Sequence, residues 1–224
     1  MGPEFSGKRR EEDYPVTKGN SAPNIVLIMA DQLAPQFTGA YGHPVVKTPH
    51  IDALAGRGMR FDSAYCNSPL CAPSRFSFMS GQLVSRIGAY DNASEFSASV
   101  PTFAHYLKLM GYRTCLSGKM HFIGPDQKHG FEERLTTDIY PSDYAWTPDW
   151  ERTEERIDKW YHNMATVKEA GIGAATFQID YDEEVAFFAK RRIFDYARDD
   201  DQPFCLVASF IHPHDPYVAR QEWW

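Results

Sequence analysis

The sequence has few cysteines, and they follow no pattern. Four of the 224 residues are cysteine, at positions 66, 71, 115 and 205, with irregular spacing. Disulfide frameworks stabilise small secreted domains, and zinc sites need regularly spaced ligands, so neither is expected to organise this chain. With 43% hydrophobic residues, the chain can bury a sizeable core without covalent cross-links. We therefore expect a reducing, cytoplasmic environment.

Long apolar runs and an excess of positive charge are also missing. No apolar run approaches the ~18 residues that a membrane span needs, so a membrane partner is not expected. The formal net charge is −7, whereas a nucleic-acid surface requires clustered cations, so nucleic acid is not expected either. A negative charge is better suited to a cationic or small polar ligand.

The first 22 residues are polar and charged, and residues 2–5 have the composition of a cloning remnant. We predict a polar arm over 1–22, in part cloning-derived, and a folded domain from residue 23 onwards. The sequence contains no internal repeats and no low-complexity tract.

Three apolar runs predict buried strands. Residues 24–30 form a continuous β-branched run, typical of a strand buried on both faces of a parallel sheet. A predicted helix over 101–110 precedes a second strand at 112–117, and an amphipathic helix over 182–198 precedes a third at 203–211. This alternation predicts an α/β fold with a mostly parallel central sheet and helices on both faces.

Each predicted strand ends in polar residues. Asp31 and Gln32 follow the first, Gly-Lys-Met-His at 118–121 closes the second, and His-Pro-His-Asp at 212–215 follows the third. Ligands of open parallel sheets bind beyond the carboxyl ends of the strands, so these groups could meet in one cleft. The oxygens of Asp31 and Gln32 suit calcium or magnesium. Solvated strand ends and ordinary turns are the alternative interpretation.

Residues 71–75 form the motif Cys-Ala-Pro-Ser-Arg, followed by an apolar stretch that ends in Ser-Gly at 80–81. It fits a proline-rich loop entering a helix, with Cys71 as a small buried side chain. It also fits a nucleophile, because a cysteine at a helix N-terminus near Arg75 would have a lowered pKa. A Cys-x-Pro-x-Arg pentamer arises by chance in about one chain of this length in a hundred.

The motif resembles the signature of the type I sulfatases of the alkaline phosphatase superfamily, Cys-x-Pro-Ser-Arg followed by a short helix ending in Ser-Gly or Thr-Gly. Further segments occur in that family's order, namely the strand ending at Asp31, residues 48–52, 61–66 and 118–121, and the Pro-His-x-Pro element at His214. The resemblance covers most of residues 23–220. It implies an alkaline phosphatase/sulfatase-like fold, with 23–224 as the N-terminal part of the catalytic domain, incomplete in this chain.

Within the family, residues 65–96, 124–127 and 137–141 are most similar to the bacterial choline sulfatases. This resemblance implies hydrolysis of choline O-sulfate to choline and sulfate, with a small sulfate ester bearing a quaternary ammonium as substrate. The alternatives are an aryl sulfatase or phosphonate monoester hydrolase of the same superfamily, or an inactive fragment. We also expect a homo-oligomer that needs the C-terminal part of the same enzyme, where the family carries its other metal ligands.

The resemblance implies that Cys71 is oxidised to Cα-formylglycine, whose hydrated aldehyde attacks sulfur with one hydroxyl and expels sulfate through the other. Asp31 would bind a divalent cation, calcium first with magnesium or manganese as alternatives, and the modified Cys71 would complete part of the coordination sphere. Gln32 stands where many arylsulfatases have a second aspartate, and it is included as a candidate ligand.

The resemblance also assigns roles to the charged residues. Arg75 would hold the formylglycine hydrate, Lys119 would contact a sulfate oxygen, and His121 would assist breakdown of the hemiacetal. His214 would lie near the leaving oxygen, with His212 as the second candidate. A cation that polarises sulfate beside positively charged side chains is the expected arrangement for such a displacement.

A quaternary ammonium cannot donate hydrogen bonds and is recognised by aromatic faces. Residues 126–150 form a predicted long loop rich in proline, aspartate and aromatic residues, and it carries Tyr140, Tyr144, Trp146 and Trp150. We select Trp146 and Tyr140 as substrate-binding candidates, with Asn92 as a third, although aromatic packing of the loop explains any one of these rings equally well.

Overall fold

The computed structural model describes residues 22–147, 151–152, 164–199 and 202–224. Its strands are β1 Ile25–Ala30, β2 Arg113–Gly118, β3 Glu133–Arg134, β4 Gly171–Ile172, β5 Phe204–Phe210 and β6 Val218–Ala219. Its α-helices are α1 Pro49–Arg57, α2 Cys71–Ser80, α3 Val84–Ile87, α4 Phe103–Leu109, α5 Met164–Lys168 and α6 Phe177–Arg198. Short 3₁₀ turns lie at Pro35–Phe37, Gly39–Tyr41, Tyr144–Trp146 and Gln221–Trp223.

The central sheet has the order β1-β5-β2-β3, and every neighbouring pair is parallel. The predicted mostly parallel α/β sheet is therefore confirmed. β3 lies inside the segment predicted to be a long loop, because a two-residue strand carries no readable alternation. β4 and β6 form a second, two-stranded parallel sheet.

Helices pack on both faces of the central sheet, as predicted. Leu116 and Val207 join the core cluster that contains the buried residues of α2 and α4. Their chain neighbours Cys115 and Leu206 point to the opposite face, where they pack against α6. This division follows from the alternation of side chains along a strand.

Within the described residues one face of β1 is uncovered, which differs from the burial on both faces predicted for residues 24–30. Val26 and Ile28 are 46% and 68% exposed, whereas the alternate residue Leu27 packs against the core cluster of α2 and α4. Among the described residues β1 is an end strand, and α6 covers β2 and β5 instead. A continuous apolar run cannot reveal whether a helix covers the second face.

The helix predicted over 182–198 begins earlier, at Phe177, because Thr176 accepts a hydrogen bond from the backbone N–H of Ile179 as an N-cap. The predicted arm over 1–22 lies outside the described residues except for residue 22. Within the described ranges, no helix combines the length and apolar character needed to cross a bilayer.

The sheet brings the three polar strand ends together. β1 and β2 both flank β5 in parallel, with Ala30 paired to Phe210 and Gly118 paired to Ser209. Gly118 has a φ of +105°, and a Cβ atom there would collide with the carbonyl of Ser209. Only glycine allows β2 to leave the sheet so close to β5.

Candidate active site

Cys71 is the first residue of α2 and lies at the carboxyl end of the sheet. The Oδ1 atom of Asn92 accepts a hydrogen bond from the backbone N–H of Ala72 at 3.0 Å and so caps the start of the helix. The Sγ atom of Cys71 lies 3.6 Å from Nζ of Lys119 and 3.8 Å from Oδ2 of Asp31. The structure therefore places three of the predicted site residues in direct contact.

Arg75 lies one helical turn after Cys71, on the same side of α2. It is 4% exposed. One guanidinium nitrogen donates to the carbonyl of Lys119 at 2.7 Å and to Oγ of Ser209 at 2.9 Å. The other lies 3.6 Å from Oδ1 of Asp31. Arg75 thus fixes α2 against β2 and β5 while adding positive charge beside Cys71.

Lys119 and Asp31 form a buried ion pair, in which Lys119 is fully buried and Asp31 is 8% exposed. Burial alone would raise the pKa of Asp31, but the charges of Lys119 and Arg75 outweigh it and hold that pKa below its usual value. Asp31 is therefore an ionised carboxylate held between two buried cations, and a carboxylate oxygen is a ligand that calcium and magnesium prefer.

The pKa of the Cys71 thiol is raised, which contradicts the lowered value predicted from its position at a helix N-terminus. Burial is the largest cause, and the attraction of Lys119 is partly cancelled by the negative charge of Asp31. Cys71 is a thiol and not a preformed thiolate, so the alternative of an unmodified cysteine nucleophile loses its support.

The structure separates the two candidate histidines. A ligand atom of His214 lies within 4.8 Å of those of Asp31 and Cys71. Nδ1 of His214 lies 2.9 Å from the carbonyl of Asp215. His212 instead pairs through Nδ1 with Oδ2 of Asp182 at 2.7 Å, outside this group.

His121 lies beside the aromatic candidates. Its ring centroid is 5.0 Å from that of Tyr140 and 5.5 Å from that of Trp146. Among the described residues neither ring nitrogen has a hydrogen-bond partner, although the side chain is buried. Burial, reinforced by the charge of Lys119, lowers the pKa of His121 to about 4, so the free site holds a neutral imidazole.

Tyr140 connects the charged and aromatic groups. Nζ of Lys119 lies 4.3 Å from the centre of its ring, and its hydroxyl lies 3.4 Å from Nε2 of His214. Trp146 is half-buried at 5.2 Å from Tyr140 between ring centroids. Tyr144 is turned to Glu95, with which its hydroxyl forms a 2.7 Å hydrogen bond. Trp150 lies outside the described residues.

Gln32 is exposed and has a φ of +61°. Its Nε2 donates to the hydroxyl of Tyr217 at 3.2 Å. The structure thus gives Gln32 a contact separate from the group of Asp31, Cys71 and His214, and its metal role stays a prediction.

The donor set fits part of a cation site. Asp31, Cys71 and His214 offer one ligand atom each around a common point. Calcium takes six to eight oxygen ligands, and the Asp31 carboxylate suits it, whereas a thiol does not. Replacing the sulfur of Cys71 by oxygen, as formylglycine would, brings the set closer to that preference. These residues hold a cation only together with further oxygen ligands.

Sequence reasoning missed two carboxylates, one buried and one 14% exposed, that bind the backbone directly after β2 and β5. Oδ2 of Asp138 accepts from the backbone N–H groups of Met120 and His121, and the carboxylate of Asp182 accepts from those of Ile211 and His212. These contacts join residues far apart in sequence, and no local pattern predicts them.

Known proteins share this architecture. The family model described as Sulfatase matches residues 23–223. Choline-sulfatase of Rhizobium meliloti (strain 1021) is 54% identical over 206 residues, which are 90% of this chain and 40% of that protein. N-acetylglucosamine-6-O-sulfatase of Bacteroides thetaiotaomicron is 30% identical over 201 residues, which are 89% of this chain and 32% of that protein. The chain thus spans about two fifths or less of the length of these relatives.

A solved structure supports the fold. The phosphonate monoester hydrolase of Agrobacterium radiobacter superposes with a TM-score of 0.61 at 23% identity, covering 89% of this chain and 43% of that one. At this identity the likeness shows the fold alone. Because the family model spans the motif at 71–75 and all three strand ends, the chain belongs to the sulfatase family.

Proposed function

We propose that this chain is the N-terminal part of the catalytic domain of a choline sulfatase, with residues 23–224 supplying the reacting centre. The observation that carries the proposal is the buried contact of Cys71 with Lys119 and Asp31, at the position of the sulfatase motif. The substrate assignment is supported by the 54% identity to choline-sulfatase of Rhizobium meliloti (strain 1021). A cytoplasmic location and a homo-oligomeric state belong to the same proposal.

Two groups complete the proposed centre, a formylglycine at Cys71 and a divalent cation, calcium first, held by Asp31. The hydrated aldehyde would supply the nucleophilic oxygen, and the cation would polarise a sulfate oxygen. A ligand atom of His214 lies within 4.8 Å of those of both residues, but calcium prefers oxygen over a ring nitrogen, so we assign His214 to proton transfer. Gln32 would need to release Tyr217 to add an oxygen ligand.

Lys119 and Arg75 supply the fixed positive charge. Both are buried and held by several contacts, so they need no reorganisation when negative charge develops on the sulfate oxygens. The proposed contact of Lys119 with a sulfate oxygen is supported by its Nζ atom, which reaches both the Cys71 sulfur and the Asp31 carboxylate. Arg75 orients the side chain at position 71 from one turn along α2.

We assign proton transfer to His121 and His214. The imidazole of His121 is neutral in the free site, so a ring nitrogen is available to accept a proton. Negative charge on a bound sulfate would raise the pKa of His121 and make it a better base during breakdown of the intermediate. The contact of Nδ1 of His214 with the carbonyl of Asp215 fixes the orientation of that ring. His214 is our candidate for donating a proton to the leaving oxygen of choline.

The aromatic residues would bind the trimethylammonium group. One face of Tyr140 already carries the Lys119 ammonium at 4.3 Å, so Trp146 offers the better face for a second cation. Asn92 uses its side-chain oxygen to cap α2. Its amide nitrogen would be the group that contacts the substrate.

The test is release of sulfate from choline sulfate by the whole protein, compared with the variants Cys71→Ala and Cys66→Ala. Cys66 is an exposed cysteine five positions away, whose sulfur contacts Ser68 and Ser74. Cys71→Ala is expected to abolish turnover while Cys66→Ala keeps it, and mass spectrometry should find the oxidised residue at 71 alone. Undiminished turnover by Cys71→Ala would refute the mechanism. If kcat/KM were higher for an aryl sulfate or a phosphonate monoester than for choline sulfate, that ester would be the better substrate assignment.

A further inference from the structure

The backbone at His121 is strained. Its φ is +62°, a left-handed conformation that costs a residue with a side chain about 1–2 kcal/mol. Such a conformation persists only where its surroundings enforce it. Hydrogen bonds of the ring do not enforce it, because within the described part of the chain both ring nitrogens lack a partner. Something else must hold His121 in place.

One carboxylate oxygen holds this turn. Oδ2 of Asp138 accepts from the backbone N–H of Met120 at 2.9 Å and from that of His121 at 2.7 Å. The Asp138 side chain is 3% exposed, so water does not compete for these bonds. Two successive amide groups can point at one oxygen only when the backbone bends as it does here.

The Asp138 carboxylate is itself held by Arg134. Arg134 donates from one nitrogen to Oδ2 of Asp138 at 3.1 Å. Its other nitrogen donates to the carbonyl of Gln127 at 3.0 Å and to the side-chain oxygen of Gln127. Arg134 belongs to β3 and pairs with Leu116 of β2. The support is therefore anchored in the sheet.

The same carboxylate reaches the aromatic group. Its second oxygen, Oδ1, accepts from the backbone N–H of Tyr140 at 3.4 Å. The rings of Tyr140 and His121 lie 5.0 Å apart. A shift of Asp138 would therefore move both His121 and Tyr140.

We infer that Asp138, held by Arg134, is a positioning residue that sets His121 and Tyr140 in the geometry the reaction requires. The inference rests on the proposed function for the meaning of that geometry. Asp138 does not touch the reacting atoms. Its effect is exerted through the backbone of residues 120 and 121, and groups that position catalytic side chains in this way commonly change activity 10- to 100-fold.

Asp126 provides a matched control in the same loop. Its Oδ1 accepts from the backbone N–H groups of Lys128 and His129 at 2.9 and 3.0 Å, so one oxygen binds two successive amides as at Asp138, although the Asp126 side chain is 32% exposed. None of these residues belongs to the proposed site. Asp126→Ala and Asp138→Ala therefore each remove one carboxylate that binds two amides, and only the second affects the turn of His121.

The first measurement is hydrogen exchange of the backbone amides in the whole protein. Asp138→Ala should remove the protection of the Met120 and His121 amides, and Asp126→Ala should leave both protected. This result does not depend on the substrate. Equal protection of the two amides in both variants would overturn the inference.

The second measurement is steady-state kinetics with choline sulfate and 4-nitrophenyl sulfate. Asp138→Ala should lower kcat about 100-fold, with a smaller change in KM. Asp138→Asn, which keeps an acceptor oxygen, should lower kcat about 10-fold, and Asp126→Ala should keep the parent kcat. Equal kcat in the Asp138 and Asp126 variants would overturn the inference. If the parent hydrolyses neither ester, the proposed function fails and the exchange result decides alone.

Discussion

The charged and aromatic halves of the candidate site are built differently. The charged half, Asp31, Cys71, Arg75 and Lys119, lies on or directly after β1, α2 and β2, and each side chain contacts at least one other. The aromatic half, Tyr140 and Trp146, lies within residues 135–147, where the described structure has one 3₁₀ turn and no strand. Side chains on strands and helices packed in the core are held precisely, as catalytic groups must be. Side chains on loops vary more easily and are suited to recognising a particular substrate.

The largest effect is expected in the charged half. Lys119→Met should lower kcat/KM for choline sulfate about 1000-fold, because it removes a buried cation aimed at the sulfate position. It should also cost about 3 kcal/mol of unfolding free energy, since the buried Asp31 loses its ion-pair partner. Kinetics and denaturant titration measure the two effects. Lys108→Met, at a lysine that is 55% exposed, is the control. A loss of kcat/KM below tenfold in Lys119→Met would contradict the larger role in catalysis that we assign to the charged half.

A smaller and different effect is expected in the aromatic half. Trp146→Ala should raise KM for choline sulfate about tenfold and change kcat less, because the loss of one aromatic face removes about 1–2 kcal/mol of cation binding. KM for 4-nitrophenyl sulfate, which carries the sulfate but no cationic group, should change little. Tyr144→Ala is the matched variant in the same turn, because Tyr144 is turned to Glu95. If Trp146→Ala lowered kcat alone, the ring would belong to the reacting half.

The smallest effect is expected at His121, which lies between the charged and the aromatic half. Burial lowers the pKa of His121 to about 4, below the ordinary value of 6.5. The unfolded chain therefore binds the proton first, and the contribution of His121 to stability is complete above pH 6.5 and declines as the pH falls towards 4. The decline should be about 1 kcal/mol between pH 6.5 and 5.5. His121→Asn, which tolerates a left-handed backbone, should remove that part of the pH dependence in denaturant titrations. If the free energy of unfolding of the parent and of His121→Asn changed equally with pH, the lowered pKa of His121 would be contradicted.

The charged half could be predicted from the sequence further than the aromatic half. Asp31, Lys119 and His214 each follow a strand with a clear apolar run, and the parallel order of the sheet carries all three to one edge. The motif at 71–75 adds Cys71 and Arg75 one helical turn apart. Periodicity and strand ends are therefore enough to assemble this group.

Features set by distant contacts could not be predicted. The raised pKa of Cys71 depends on burial, which a helix N-terminus alone does not reveal. β1 shows the same limit, because its apolar run does not indicate that Ile28 is 68% exposed. Asp138 acts across 17 and 18 positions of chain, on amides that no sequence motif marks.

The ratio of kcat/KM for choline sulfate to kcat/KM for 4-nitrophenyl sulfate tests the division between the halves most directly. It should be measured in the whole protein and in the variants Lys119→Met and Trp146→Ala. Lys119→Met should lower both constants and leave the ratio unchanged, since sulfate is common to both substrates. Trp146→Ala should lower the ratio about tenfold. A ratio that falls in Lys119→Met, or stays constant in Trp146→Ala, would contradict the assignment of chemistry to the charged half and choline recognition to the aromatic half.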